Sequence, residues 1–156
     1  MRSPVSSSSE LIRYFDESRI EPLFLSCDLA ALDTYLAGPG VDARGRHEET
    51  LLMRAADEHN LLVLSHLLSA GADPLLHDAA GRTALHHAAL AGNDAAAELL
   101  IAAGAEVDAR DNDGRTALWH AAALHLPDSA IVDVLLRSGA GGRLRDDRGV
   151  SPDDML

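Results

Sequence analysis

The run Gly81-Arg82-Thr83-Ala84-Leu85-His86-His87-Ala88-Ala89 returns 33 residues later as Gly114-Arg115-Thr116-Ala117-Leu118-Trp119-His120-Ala121-Ala122, and His86 against Trp119 is the single difference. Thirty-three positions before Thr83 stands Thr50, which opens Thr50-Leu51-Leu52-Met53-Arg54-Ala55-Ala56 with the leucine and the paired alanines in place. A fixed interval of this length marks one small structural unit that is repeated and stacked. Each unit buries its apolar face against its neighbours, so the core runs along the chain instead of gathering at one centre.

The echo extends in both directions. Gly104-Ala105-Glu106-Val107-Asp108-Ala109-Arg110 has relatives in Gly71-Ala72-Asp73 and in Gly38-Pro39-Gly40-Val41-Asp42-Ala43-Arg44. Asp111-x-x-Gly114 recurs as Asp146-x-x-Gly149, followed by Ser151-Pro152, and here the interval is 35. The two added residues fall in Leu124-His125-Leu126-Pro127-Asp128-Ser129, where a longer turn between two helices leaves a stack intact. These steps divide the chain into units at 45–77, 78–110 and 111–145. An irregular helical pair at 10–44 precedes them and a truncated unit at 146–156 follows, giving one domain over 10–156 after a disordered tail at 1–9.

Within a unit the residue types explain the shape. Arg110-Asp111-Asn112-Asp113-Gly114 predicts a tight turn, because Gly supplies positive φ and Asp or Asn bonds nearby amides. Thr83 and Thr116 stand where a hydroxyl caps the first helix. That helix is short and Ala-rich, so neighbouring copies can approach closely. The second carries apolar residues at helical spacing: Ala96, Leu99, Leu100 and Ala103 in one copy, then Ile131, Val134 and Leu135. Gly71, Gly104 and Gly139 end these helices.

T-x-L-H-x-A-A on this period resembles the ankyrin-repeat family. The resemblance implies an all-α solenoid of stacked helix-turn-helix units with irregular terminal caps. It also implies a non-catalytic module that binds one protein partner through a concave face made of turns ("fingers") and inner helices. Two departures stand out. The family's proline after Thr is Ala84, Ala117 and Leu51 here, and its histidine is kept at His86 but is Met53 and Trp119 in the other copies. The second departure implies a weaker hydrogen-bond network between repeats and a greater reliance on apolar stacking. By the same resemblance, the partner-binding positions are Arg46, His47, Asn112, Asp113 and Arg148 on the fingers, with Ala79, Ala80 and Asp147 beside them. Arg82 and Arg115 follow the turn glycines, Arg54, His87 and His120 lie on inner helices, and Leu90 and Leu124 stand at helix ends. Trp119 is either a packed ring or an aromatic anchor.

Composition narrows the function. The chain has 156 residues, a net charge of −12, 47% hydrophobic but only 3% aromatic residues, so Leu and Ala do the packing. All 13 basic residues are Arg, a lysine-free composition that suggests a GC-rich bacterial genome. The acidity argues against nucleic-acid binding and for a partner with a basic surface. No segment reaches membrane-span length, and the Ser-rich start lacks the apolar core of a signal peptide. With Cys27 alone no internal disulfide forms, and Cys27 reads as a buried thiol in a cytoplasmic protein.

Chemistry-bearing patterns are missing. His86 and His87 are adjacent and point apart on a helix, and no C-x-x-C or H-E-x-x-H spacing supplies a metal site. No G-x-S-x-G or Gly-rich phosphate loop occurs. No enzyme activity, cofactor or metal is expected. Compactness and acidity suit an immunity or inhibitor protein that blocks the basic cleft of a toxic enzyme. A secreted effector that binds host proteins, or a regulatory cytosolic adaptor, would share these features.

Overall fold

A computed structural model describes residues 14–156, so the expected tail at 1–9 lies outside the described residues. Eight helices occupy this region in four antiparallel pairs: α1 (Glu17–Ser26) with α2 (Leu29–Leu36), α3 (Leu51–Asp57) with α4 (Leu61–Ser69), α5 (Ala84–Ala91) with α6 (Asp94–Ala102), and α7 (Ala117–Leu124) with α8 (Ala130–Arg137). A short 3-10 turn at Pro152–Asp154 packs against α7. The inner helices stack α3 on α5 on α7, and the outer helices stack α4 on α6 on α8.

The apolar stripes explain the stacking. Leu52, Leu85 and Leu118 hold one register on the inner helices and all are fully buried. Ala55, Ala88 and Ala121 are buried beside them, and their small side chains bring inner helices into contact. From the outer helices come Leu64, Leu67, Leu100, Ile131 and Leu135, which complete a continuous core. Gly71, Gly104 and Gly139 follow the ends of α4, α6 and α8 with φ of 91°, 96° and 90°. The inserted residues lie between α7 and α8, outside the stack.

The hydrogen bonds between repeats correct one expectation. Thr83 N–H donates to His86 Nδ1 at 3.1 Å, which leaves the ring proton on Nε2, and Nε2 reaches the Arg115 carbonyl of the next repeat at 3.0 Å. Trp119 does not break this ladder: its indole Nε1–H donates to the Val150 carbonyl at 3.2 Å, the same link one repeat later. Only Met53 forgoes it, since its sulfur accepts the Thr50 N–H and has no proton to pass on.

A second ladder was overlooked in the sequence. Asn60 and Asn93 cap α4 and α6 through their side-chain oxygens, and their amide groups donate to Phe24 O at 3.1 Å and Ala56 O at 2.9 Å of the preceding pair. In the next copy His125, from the inserted loop, takes over with Nε2 at 2.9 Å from Ala89 O. The signal was available, for Asn60 and Asn93 stand 33 residues apart.

Candidate partner-binding face

The fingers at Asp78, Asp111 and Asp146 are each built around one carboxylate, while the first finger has Gly45 at that register. Asp111 Oδ1 accepts the backbone N–H groups of Asp113 and Arg115, and its Oδ2 accepts His120 Nε2–H at 2.7 Å. Asp78 repeats this with Ala80, Arg82 and, at 2.9 Å, His87. The local sequence Asp-x-x-Gly makes this possible, because the turn brings two amides onto one oxygen while the helix nine residues on supplies the imidazole. At Asp146 the oxygen Oδ1 still accepts Arg148 and Val150 N–H, but nine residues on stands Met155. Arg115 fills the gap from the previous repeat, with Nε 3.5 Å from Oδ2.

The carboxylates respond to these donors. Burial pushes the Asp78 carboxyl up, but the Arg82 amide, His87 and the Arg82 guanidinium together hold it below the usual range. Asp111 behaves likewise, with the His120 bond and the Arg115 and Asp113 amides outweighing burial. For Asp146 the Val150 amide is the largest influence and the net direction is again downward. On His86, a base, burial acts with the opposite sign and drives the pKa down to about 4, only partly opposed by its bond to the Arg115 carbonyl.

Successive fingers lock together through backbone bonds. Ala79 N–H donates to His47 O, Asn112 N–H to Ala80 O and Asp147 N–H to Asp113 O, each at 3.0 Å. The Asn112 side chain adds a bond to Ala79 O at 3.0 Å. This close approach explains the turn glycine. At Gly81, φ is 77°, and a Cβ would collide with the Asn112 side chain and stand 2.8 Å from its backbone nitrogen.

The candidate residues therefore separate into two groups. His87 and His120 are buried, with Nε2 committed to Asp78 and Asp111, so they hold fingers to helices and present little surface. Trp119 is half-buried, with the Arg115 guanidinium 4.3 Å from its ring centre and the His120 ring at its edge. Arg82 and Arg54 are partly buried and pair with Asp78 and Glu58. Arg115 also reaches Asp113 at 3.1 Å. The exposed group is Arg46, His47, Asn112, Asp113, Arg148 and Leu124, with Leu90 half-buried. Ala79 and Ala80 are exposed on the middle finger. Ion pairs join Arg54 to Glu58, Arg82 to Asp78 and Arg115 to Asp113 along these positions, while Glu48, Asp57 and Asp147 are exposed carboxylates beside them. The chain as a whole carries −12.

With fingers, inner helices and repeat spacing in view, a family model supplies the classification: that of ankyrin repeats in three copies matches residues 22–146. The chain belongs to the ankyrin-repeat family. No curated protein matches this ankyrin chain significantly. Among the described residues, no group of three or more His, Cys, Asp or Glu could hold a metal ion, and no helix is long and apolar enough to cross a membrane. Cys27 is half-buried, not fully buried, with Sγ 3.5 Å from Phe24 O and φ of 51°.

Proposed function

We propose that this ankyrin-repeat protein is a non-catalytic cytoplasmic module that takes one protein partner on its fingers and inner helices. Ankyrin repeats indicate a protein–protein interaction module. The observation that carries the finer reading is the division of labour in the fingers of Asp78, Asp111 and Asp146. Asp78, Asp111 and Asp146 fix three finger backbones from below, while their tips (Ala79, Ala80, Asn112, Asp113 and Arg148) stay exposed, as do Arg46 and His47 on the first finger, which is tied to the second by the Ala79 N–H. Tips held rigid before binding lose little conformational entropy on contact, which favours a tight complex.

Within that class we propose an immunity or inhibitor role against a toxic enzyme with a basic cleft. The net charge of −12 would steer such a partner into encounter, and the exposed carboxylates Glu48, Asp57 and Asp147 would meet cations of its basic cleft. Capture from a lysate of the source organism tests this, comparing the wild type with Arg46→Glu/Ala80→Glu/Asp113→Arg. These tips lie outside the finger anchors, so the variant should remain folded by circular dichroism. The expected result is one enzyme held by the wild type, inhibited stoichiometrically and lost by the variant. A partner held equally by both proteins would overturn the assignment of the face.

A further inference from the structure

The three most exposed leucines among the described residues are Leu25 at 81%, Leu126 at 73% and Leu124 at 61%. They share one edge of the molecule. Leu25 stands at the C-terminal end of α1, Leu124 ends α7 and Leu126 follows it in the inserted loop. Half-buried Leu90 occupies the matching end of α5. At the end of α3 the row changes character: Asp57 and Glu58 are both exposed. The Asn60–Phe24 bond sets the end of α1 against the turn after α3, as the Asn93–Ala56 bond sets the end of α3 against the turn after α5, so these helix ends follow one another along the edge.

We infer that this row of inner-helix ends docks a cationic amphipathic helix of a protein partner. This rests on the reading of the chain as a protein-binding module. Three features define the occupant. Helix axes packed about 8–10 Å apart make the row from α1 to α7 about 25–30 Å long, which a helix of about 18–20 residues spans. Leu90, Leu124 and Leu126 at one end and Leu25 at the other seat aliphatic side chains that recur on one helical face. Between them Asp57 forms no ion pair among the described residues, and Glu58 is held by Arg54 at 2.8 Å, so Asp57 takes a Lys or Arg from the occupant. The carbonyl ends of α1, α5 and α7 point to the same edge and add partial negative charge. An anionic membrane surface is disfavoured by the same carboxylates.

The test is selection of a displayed random library of helix-scaffolded peptides, about 20 residues long, against the whole chain. The enriched pool should carry aliphatic residues at i, i+3, i+4 and i+7 with Lys or Arg on the flank. Enriched peptides should bind at least tenfold more weakly to Leu124→Asp and to Asp57→Lys/Glu58→Lys. Both changes fall on exposed side chains, and circular dichroism checks that the variants fold. No enrichment, a polar or acidic pool, or equal binding by the variants would overturn the inference. So would binding to phosphatidylserine vesicles in place of peptides. Capture lost on changing the fingertips, with no enrichment here, removes the docking row alone. Enriched peptides with capture indifferent to the fingertips remove the fingertip reading alone.

Discussion

Among the described residues, three other than glycine adopt the left-handed region, Cys27, Glu48 and His59, with φ of 51°, 60° and 58°. Their registers explain why. His59 occupies the position that Gly92 fills one repeat later, and Glu48 the position of Gly81 and Gly114. The turns demand that conformation whatever residue is present, so these side chains carry a steric cost of about 1–2 kcal/mol each. Glu48 recovers part of it by accepting a hydrogen bond from the Tyr14 hydroxyl at 2.9 Å. His59 is exposed and its side chain makes no hydrogen bond among the described residues. His59→Gly should therefore stabilise the protein by about 0.5–1 kcal/mol after the entropic cost of glycine is subtracted. Chemical denaturation checks this: the midpoint should rise at unchanged slope, and a lower midpoint would mean the imidazole is held by packing.

At the scale of the finger, the whole element hangs on one carboxylate. Asp111→Ala removes the acceptor of Arg115 N–H and of His120 Nε2–H, both in partly or fully buried surroundings, and should cost about 2–4 kcal/mol. Asp111→Asn keeps an oxygen for the amides, and its NH2 group can donate to His120 once the ring proton moves to Nδ1. Its cost should be clearly smaller, and equal midpoints for the two variants would show that the carboxylate charge, not its acceptor geometry, holds the finger. Such pairing was not legible in the sequence. The 33-residue period exposed the repeat, because Thr, Leu and the paired Ala return wherever the same inner helix is built. It could not say that His87 and His120 turn inward, since a histidine before paired alanines reads equally well as a contact residue. Nor could it show Trp119 donating to Val150, because that bond depends on how far the next finger folds over the ring.

For the molecule as a whole, pH provides a way to separate general charge from specific contacts. Acidification from pH 7 towards the pI of about 4.9 relieves self-repulsion in a chain of net charge −12, which favours the folded state. His86 opposes this. Its pKa lies at about 4 when folded and near 6.5 when unfolded, so the unfolded chain binds more protons between those values. Its contribution is fully present above pH 6.5 and disappears as pH falls to about 4, a loss of ~3 kcal/mol from that shift. Asp78, Asp111 and Asp146 have lowered pKa values, so their contribution persists through this window and fails only below the ordinary carboxylate value of 3.8. Comparison with a variant that lacks this ring isolates His86 on the limb between pH 6.5 and 4. His86→Met copies the residue found at the same register in Met53 and has no proton to bind. At pH 7.5 the variant should be less stable by about 1–2 kcal/mol, because the Arg115 carbonyl loses its donor. As pH falls the difference should shrink and then reverse near pH 4, since only the wild type must protonate a buried ring. Denaturant midpoints measured at half-unit steps decide it: parallel curves for the two proteins would mean that the ring opens to solvent before it charges.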